Sequence, residues 1–519
     1  MTTRRAFLTN AARLAGGLII ASCAAGPTTG PAQTASGPKR GGELVVADVS
    51  DLLSFDPAFM PRTSGRRIGR MIYDPLIDID PKGNVIPVLA ESWETPDPVS
   101  IVLHLRKGVK FHDGLAFDAE AVKFHFDRHL DPKTASFRRA DLLALDKVTV
   151  VNSSTVRLTL KAPHQGFLSG LFDRPGFILS PNAVGKNRDD ISFKPAGTGP
   201  FRYVDYVRDD HTTVERNPDY WMKDRPYVDR IKHRVIPTNA TRLVELRSGG
   251  VDIAEEVPYQ DVSRLRSMKE VVLSEGQGAR YEFLRWNVAS PYGKSKEFRQ
   301  ALNYIIDRDA IHASVYFSTG GVGFDPFLPG TPYYDANYKP FKRDLAKAKE
   351  LLAKADVPKP MRFTLYRTGD DVVVNQVAQI LQENYREAGV TMDIVFEEGA
   401  ASQARDERGD YTMLISWWGT RPDPSHYLPN LHLSTTTYYR FKPSVMQDPV
   451  IDKLLNDAQQ DPSPEKRRAL YRQFAERVNE NADHVYYHNG SDFKGLSPRV
   501  KGFIHMNDFI VRYKDLWLD

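Results

Sequence analysis

Apolar residues recur along this chain with two different periods. Across Ile101–Arg106, Leu103 and Leu105 alternate with Val102, His104 and Arg106, and a period of two predicts a half-buried strand. The segment Glu43–Asp48 predicts a short strand opening the folded part, and 148–160 predicts two strands around an Asn152-Ser153-Ser154 turn. Further strands are predicted over Ile231–Ile236, Met361–Arg367, Val390–Phe396, His484–His488 and Gly502–Val511. Elsewhere the period lengthens to that of a helix. Asp118 caps a segment in which Val122, Phe126 and Leu130 recur on one face. Helices are likewise predicted over Asn239–Leu246, after Ser295 with Phe298, Leu302 and Ile305 inward, after Asp344, and from about Asn375 to Ala388 before Gly389. Asp448-Pro449 and Ser463-Pro464 set proline at the first helical position behind a capping residue. Strands and helices taking turns predict the α/β class.

One apolar run ends unusually. From Met413 it reaches Trp417 and Trp418, then meets Gly419, Thr420, Arg421, Pro422, Asp423 and Pro424. Proline has no N–H for a central strand, so a strand ending in a rigid turn is predicted. Two indoles and a guanidinium at the mouth of such a turn suit a flat polar ligand. Core tryptophans and a solvated Arg421 account for the same residues equally well.

A length of 519 residues exceeds one core and predicts two or three lobes. Hydrophobic content of 41% and charged content of 26% are ordinary for a globular protein. A net charge of +4, without a dense Lys/Arg run, argues against a nucleic-acid partner. At the N-terminus, Arg4 and Arg5 followed by Phe7 and Leu8 resemble a twin-arginine export signal. The apolar stretch Ala11–Ala21 is too short for a permanent span. Ile20-Ala21-Ser22-Cys23 resembles a lipobox, with Cys23 as the lipid attachment point; cleavage nearby, releasing a free protein, is the alternative. Residues 1–23 are thus expected to be an export signal, and 24–42, rich in Gly, Pro, Ala, Ser and Thr, a flexible tether. Cys23 is the single cysteine, so the rest of the chain holds no disulfide, thiolate-bound zinc or thiol nucleophile.

Catalytic motifs are missing. The chain contains no Gly-x-Ser-x-Gly elbow, His-Glu-x-x-His helix or Gly-x-x-x-x-Gly-Lys loop. Gly197-Thr198-Gly199 runs into Pro200, which is unsuited to a dinucleotide-binding helix. His112-Asp113-Gly114 reads as turn chemistry rather than a metal pair. His426, His432, His484 and His488 carry imidazoles of a kind that serve metals or metal chelates. Irregular loop spacing gives them no fixed geometry, and core or surface histidines are the expectation. The reading is therefore a protein that is not an enzyme, with no catalytic residues, metal ligands or cofactor.

Several landmarks occur in one order: Pro87-Val-Leu-Ala-Glu-Ser-Trp93, Leu105-Arg-Lys-Gly-Val-Lys-Phe-His-Asp-Gly114, Gly197-Thr-Gly-Pro-Phe201, Arg216-Asn-Pro-Asp-Tyr-Trp221, Val251-Asp-Ile253 and Phe298–Arg308. Together they resemble the extracellular solute-binding proteins of family 5, the peptide, opine and nickel class that feeds ABC importers. The resemblance implies an α/β, two-lobed periplasmic-binding-protein (Venus-flytrap) fold with an inserted subdomain and mixed β-sheets. It divides the chain into lobe I (43–75, 195–287 and 487–519), an insertion (76–194) and lobe II (288–486), with hinges near Asn287 and Tyr486-Tyr487. It also implies a periplasmic monomer, a small-molecule or peptide ligand and an ABC permease in the inner membrane.

In peptide-binding members of that family the tryptophan stretch reads Trp-x-x-Asp, and the aspartate holds the ligand's α-amine. Counting from Trp418 puts Arg421 there; counting from Trp417 puts Thr420 there, and neither is an acid. The Trp-x-x-Arg-x-Asp-Pro form resembles a subgroup variant. A guanidinium fork matches a carboxylate, reversing the pocket's charge preference. The implied ligand contacts are Trp417, Trp418, Gly419, Thr420, Arg421, Tyr438 and Tyr439, with Phe59 and Met60 from the first lobe. The expected cargo is a small peptide or peptide-like carboxylate; an opine-like conjugate or a nickel or other metal chelate is the alternative, and an exported hydrolase is the alternative from another class.

Overall fold

Two long antiparallel strands, Val272–Trp286 and His484–Leu496, form the spine of an eleven-stranded mixed sheet. The computed structural model describes residues 37–185, 194–369, 371–419, 421–436 and 441–519. The expected export signal, Cys23 and most of the tether lie outside the described residues. On one side of the spine come Met413–Gly419, Arg362–Thr368 and Thr391–Glu397; on the other come Ile253–Ala254, Glu43–Asp48, Arg230–Val235, His211–Arg216 and Phe201–Val207; Gly321–Val322 pairs with His484–Leu496 off this path. These flanks are called the Met413 half and the Glu43 half. Pairing follows the same division. At its far end the spine strand Val272–Trp286 meets only Leu496–Asp492, whereas Arg280–Trp286 also pairs with Gly419–Met413. The register slips between Gly276 and Arg280.

Alternation along Glu43–Asp48 explains why the sheet is covered on both faces. Leu44 and Val46 enter one apolar cluster, with Ile68, Phe177 and Ile231, while Val45 and Ala47 face another, with Leu243 and Trp286. A two-residue period sends successive side chains to opposite faces. Burial at both is what a parallel strand needs, and this one runs parallel to Arg230–Val235 and Ile253–Ala254.

A separate antiparallel sheet, in the order Ala90–Asp97, Ser100–Leu105, Thr155–Leu160, Leu145–Asn152, has its own core. Leu103 and Leu105 are buried there against Val122 and Phe126 of the helix Ala119–Leu130. The Asp118 carboxylate accepts from Ala121 N and caps that helix. In the Met413 half, Ser295, Asp344, Asp448 and Ser463 cap their helices in the same way. The following turn uses His112 on Gly199 O at 3.0 Å and Asp113 on Leu115 N at 3.1 Å.

Two expectations need correction. The helix expected from about Asn375 starts at Val372, because Asp371 accepts from Val373 N and Val374 N. That cap and the buried face of Val377, Leu381 and Tyr385 outweigh the poor helical preference of three successive valines. Gly502–Val511 is not a strand. Only Val500–Lys501 pairs, with Trp517–Leu518, and positive φ at Gly502 (75°) and Phe509 (65°) turns the chain out of extended geometry. Met506, Ile510 and Val511 are buried from that irregular path, so their apolar spacing carries no strand.

Candidate functional site

The strand Met413–Gly419 ends in the expected turn. Met413 is fully buried, and Trp418 stands opposite Tyr281 in the register, packed against an aromatic cluster with Tyr427 and Tyr486. Trp417 points the other way and is 53% exposed, with the Arg280 guanidinium 5.3 Å from its ring. Trp418 is thus partly buried against that cluster, and Trp417 stands at the surface. Gly419 closes the strand, with open space around its Cβ position. Asp423 then builds the turn: its carboxylate accepts from Ser425 N at 3.0 Å and Ser425 Oγ at 2.7 Å, and receives Arg467 Nη2 at 2.8 and 2.6 Å. Pro424–His426 follows as one 3-10 turn.

This turn meets the loop around Gly166, which follows the small sheet. His426 Nε2 bonds Gly166 O at 2.6 Å, its ring lies 5.8 Å from that of His164, and Gln165 N donates to Gln459 O at 2.9 Å. Gly166 and Gly170 are glycine for want of room. A Cβ on the first would collide with Ser425 Oγ, and one on the second with the His426 ring. Burial, with help from His426, lowers the His164 pKa to about 3 against the pull of Asp423. Burial and Arg421 lower His426, again against Asp423. Both imidazoles are therefore neutral at pH 7.

Arg421 is half-buried between acids. Its Nη1 lies 3.4 Å from Asp141 Oδ1 and its Nη2 3.6 Å from Asp173 Oδ2. Asp173 also takes Arg66 Nε at 2.9 Å and Arg174 Nε at 3.4 Å; Asp141 takes Arg138 Nη1 at 3.4 Å. Burial works to raise the Asp173 pKa, but Arg174, Arg66 and Arg421 outweigh it and hold the carboxyl well below its usual range. The same balance, with Arg421 foremost among the cations, lowers Asp141. Burial, only partly offset by Asp173, lowers the Arg174 guanidinium to about 9, and Arg138, Arg66 and Arg421 add to the effect. Through Arg66 the network continues to Asp508 and on to Arg70, Arg512 and Asp78. Among the described residues it joins six guanidiniums to four carboxylates, leaving positive charge in excess. Arg421 Nη1 is buried with no hydrogen-bond partner among those residues.

Phe59 and Met60 lie in the Glu43 half, both buried. The Phe59 ring sits 5.5 Å from the Arg128 guanidinium, which grips Asp56 through both nitrogens. Met60 turns its side chain into the core and offers its carbonyl to Arg174 Nη1 at 2.8 Å. Thr420, Tyr438 and Tyr439 lie outside the described residues. Sequence reasoning missed Asp141, Asp173 and Arg174. Only the Asp173-Arg174-Pro175-Gly176 turn signal marked their neighbourhood, and nothing in it specified a partner in the Met413 half.

The sequence pattern of the bacterial extracellular solute-binding proteins, family 5 Middle, matches residues 84–439. A glutathione-binding protein (GsiB) from Pectobacterium atrosepticum is 27% identical over 482 residues, covering 91% of this chain and 93% of that protein. Heme-binding protein A of Haemophilus influenzae is 28% identical over 525 residues, covering 94% of each. Among solved structures, the periplasmic binding protein DppA of Helicobacter pylori, in complex with the peptide STSA, superposes with a TM-score of 0.82 at 26% identity, over 92% of this chain and 98% of that one. AgaA of A. tumefacien R10, in complex with agropinic acid, does so with a TM-score of 0.81 at 27% identity, over 92% and 99%. Among the described residues no helix is long and apolar enough to cross a membrane.

Proposed function

We propose, for a chain that belongs to the family 5 extracellular solute-binding proteins, that the solute is a small peptide or peptide-like compound held through a carboxylate at Arg421. The observation that carries this reading is the surplus of guanidiniums where the Met413 half meets the charged network around Asp173. An α-amine anchor needs a free acid, yet Asp141 and Asp173 already sit among arginines. A carboxylate entering beside Nη1 of Arg421, which meets Asp141 at 3.4 Å without a hydrogen bond, would instead reduce the excess charge and gain charge-assisted hydrogen bonds. An opine-like conjugate has the same carboxylate chemistry and is the second reading, favoured by the likeness to the agropinic acid complex. The protein works as a binder without turnover and as a monomer, delivering its solute to an ABC permease. It is exported by the twin-arginine route and tethered through Cys23.

The lobes divide as 43–75 with 195–287 and 487–519, carrying the insertion 76–194, and as 288–486. Strand pairing favours shifting the crossing points from the expected hinges near Asn287 and Tyr486-Tyr487 to the register slip between Gly276 and Arg280, opposite Gly490–Asp492, because Arg280–Trp286 already pairs with Gly419–Met413. There each spine strand leaves its partners in one half before joining those in the other, so the backbone can twist without breaking either core. Mass spectrometry of solute released from the purified protein by mild unfolding tests the function. A co-purifying carboxylate-bearing peptide or conjugate is expected. A cationic solute without a carboxylate would remove the Arg421 reading.

Affinity is expected to depend on pH through the two stacked histidines. Their lowered pKa values mean that the closed contact binds fewer protons than exposed imidazoles, whose ordinary value is 6.5. The contact is thus fully present above pH 6.5 and weakens as pH falls toward their folded values. Asp141, Asp173 and Asp423 are also lowered, from 3.8, so they lose stabilising charge only below about pH 4. Between pH 7 and 5 the histidines act alone. Calorimetric affinity should fall over that interval in the wild type and stay nearly level in the double variant His164→Gln, His426→Gln; a level wild-type profile would contradict the assignment.

A further inference from the structure

We propose that His432, Asp483 and His484 form a structural site for a divalent first-row metal ion of the Zn2+ kind. His432 ends the short helix Leu428–His432, directly behind the cleft turn. Asp483 and His484 come from the far side of the chain. Ala482 caps the helix Pro464–Asn481 in left-handed geometry (φ 52°), and that bend aims the next two residues back at His432. All three are buried, at 3%, 4% and 3% exposure. Each offers one ligand atom within 4.8 Å of the other two.

Hydrogen bonding leaves this group with three free lone pairs. Tyr486 Oη lies 3.2 Å from His432 Nε2, and Asp483 Oδ2 lies 3.1 Å from His484 Nδ1. With protons on those two ring nitrogens, His432 Nδ1, Asp483 Oδ1 and His484 Nε2 remain as acceptors. Those are the atoms that are buried with no hydrogen-bond partner among the described residues. One unsatisfied buried acceptor already costs free energy. The cluster is thus short of a cation, and the 3.1 Å between Asp483 Oδ2 and His484 Nδ1 is a spacing that two ligands of one metal ion adopt.

The charges agree with the geometry. Burial works to raise Asp483, but His484, His432 and Arg299 overcome it and keep the carboxyl below its usual value. Arg299 itself is occupied by the carbonyls of Gly293 and Asn481. Around the cluster stand Phe283, its ring 5.1 Å from His484, and Phe474, 5.1 Å from His432. A carboxylate in that apolar shell favours a cation. Two imidazoles and one carboxylate form the borderline donor set that Zn2+ and Co2+ prefer, with too few oxygens for Ca2+ or Mg2+. Tyr486 would orient the His432 imidazole as the outer partner of a metal-bound histidine does.

The site is separate from the ligand cleft. His432 stands at the far end of the helix Leu428–His432, six residues beyond His426 of the cleft turn. A metal there would tie the helix behind the cleft turn to the spine strand and stiffen the platform on which Arg421 is mounted.

Tag-free protein produced in zinc-supplemented medium, then gel-filtered, provides the test. Elemental analysis should find about one first-row metal per chain in the wild type and in Arg421→Ala, and less than about a tenth of that in His432→Gln and His484→Gln. Folded wild-type protein without bound metal would overturn the proposal, as would full metal content in both histidine variants. Should the variants not fold, wild-type protein produced with Co2+ decides the matter. Intense visible absorption typical of four-coordinate Co2+ supports the site, and a colourless folded protein rejects it.

Discussion

Arg421→Ala is expected to weaken solute binding by at least the ~1.5–3 kcal/mol of hydrogen bonds to a charged group, measured by calorimetry with the co-purifying solute. Two effects combine in this variant. The solute carboxylate loses a guanidinium that approaches it in low-dielectric surroundings, and Asp141 and Asp173 lose one of the cations that hold them ionised. The second effect alone could weaken closure, so a companion variant separates them. Asp141→Asn frees one side of the guanidinium without removing it. If Arg421 anchors the solute, Asp141→Asn binds as tightly as the wild type or more tightly; if Arg421 only locks the halves together, both variants weaken alike. Arg421→Lys should recover little, because a single ammonium cannot reproduce the fork. Unchanged affinity in Arg421→Ala would remove the anchor outright.

What could be read from the sequence follows the range of the interaction concerned. Asp118, Ser295 and Asp344 were legible as caps because each closes its hydrogen bond within three residues. The tryptophan stretch was legible as a strand running into a turn because proline acts locally, and its place in a binding cleft came from resemblance. The acids facing Arg421 were not legible. Asp141 and Asp173 reach it from two 3-10 turns, and no spacing rule connects a turn after one strand to turns so distant along the chain. Gly166 and Gly170 were equally silent, since a glycine demanded by a neighbouring surface looks like any loop glycine until that surface is known. Local pattern also misled where a distant requirement won. The apolar residues of Gly502–Val511 serve the core from a bent path, and the valines after Asp371 join a helix because its inner face is buried.

Gly170→Val tests whether closure itself carries affinity. The new side chain would occupy the volume of the His426 ring, which cannot swing aside cheaply because its Nε2 is bonded to Gly166 O at 2.6 Å. Overpacking of this kind costs about 1–3 kcal/mol. Here the cost falls on the contact between the halves rather than on either core, because Gly170 faces His426 across that contact. The open form pays none of it. The expected result is therefore asymmetric: the thermal midpoint of solute-free protein changes little, while solute affinity falls about 5- to 150-fold, the range those energies convert to. Small-angle scattering with saturating solute should also find more of the extended form than in the wild type. His426→Ala, by making room, should restore part of the affinity in the double variant. Gly170→Val with wild-type affinity would mean that the solute is held without the turn and the loop meeting. In that case the spine strands, rather than this contact, would set the equilibrium between the open and closed forms.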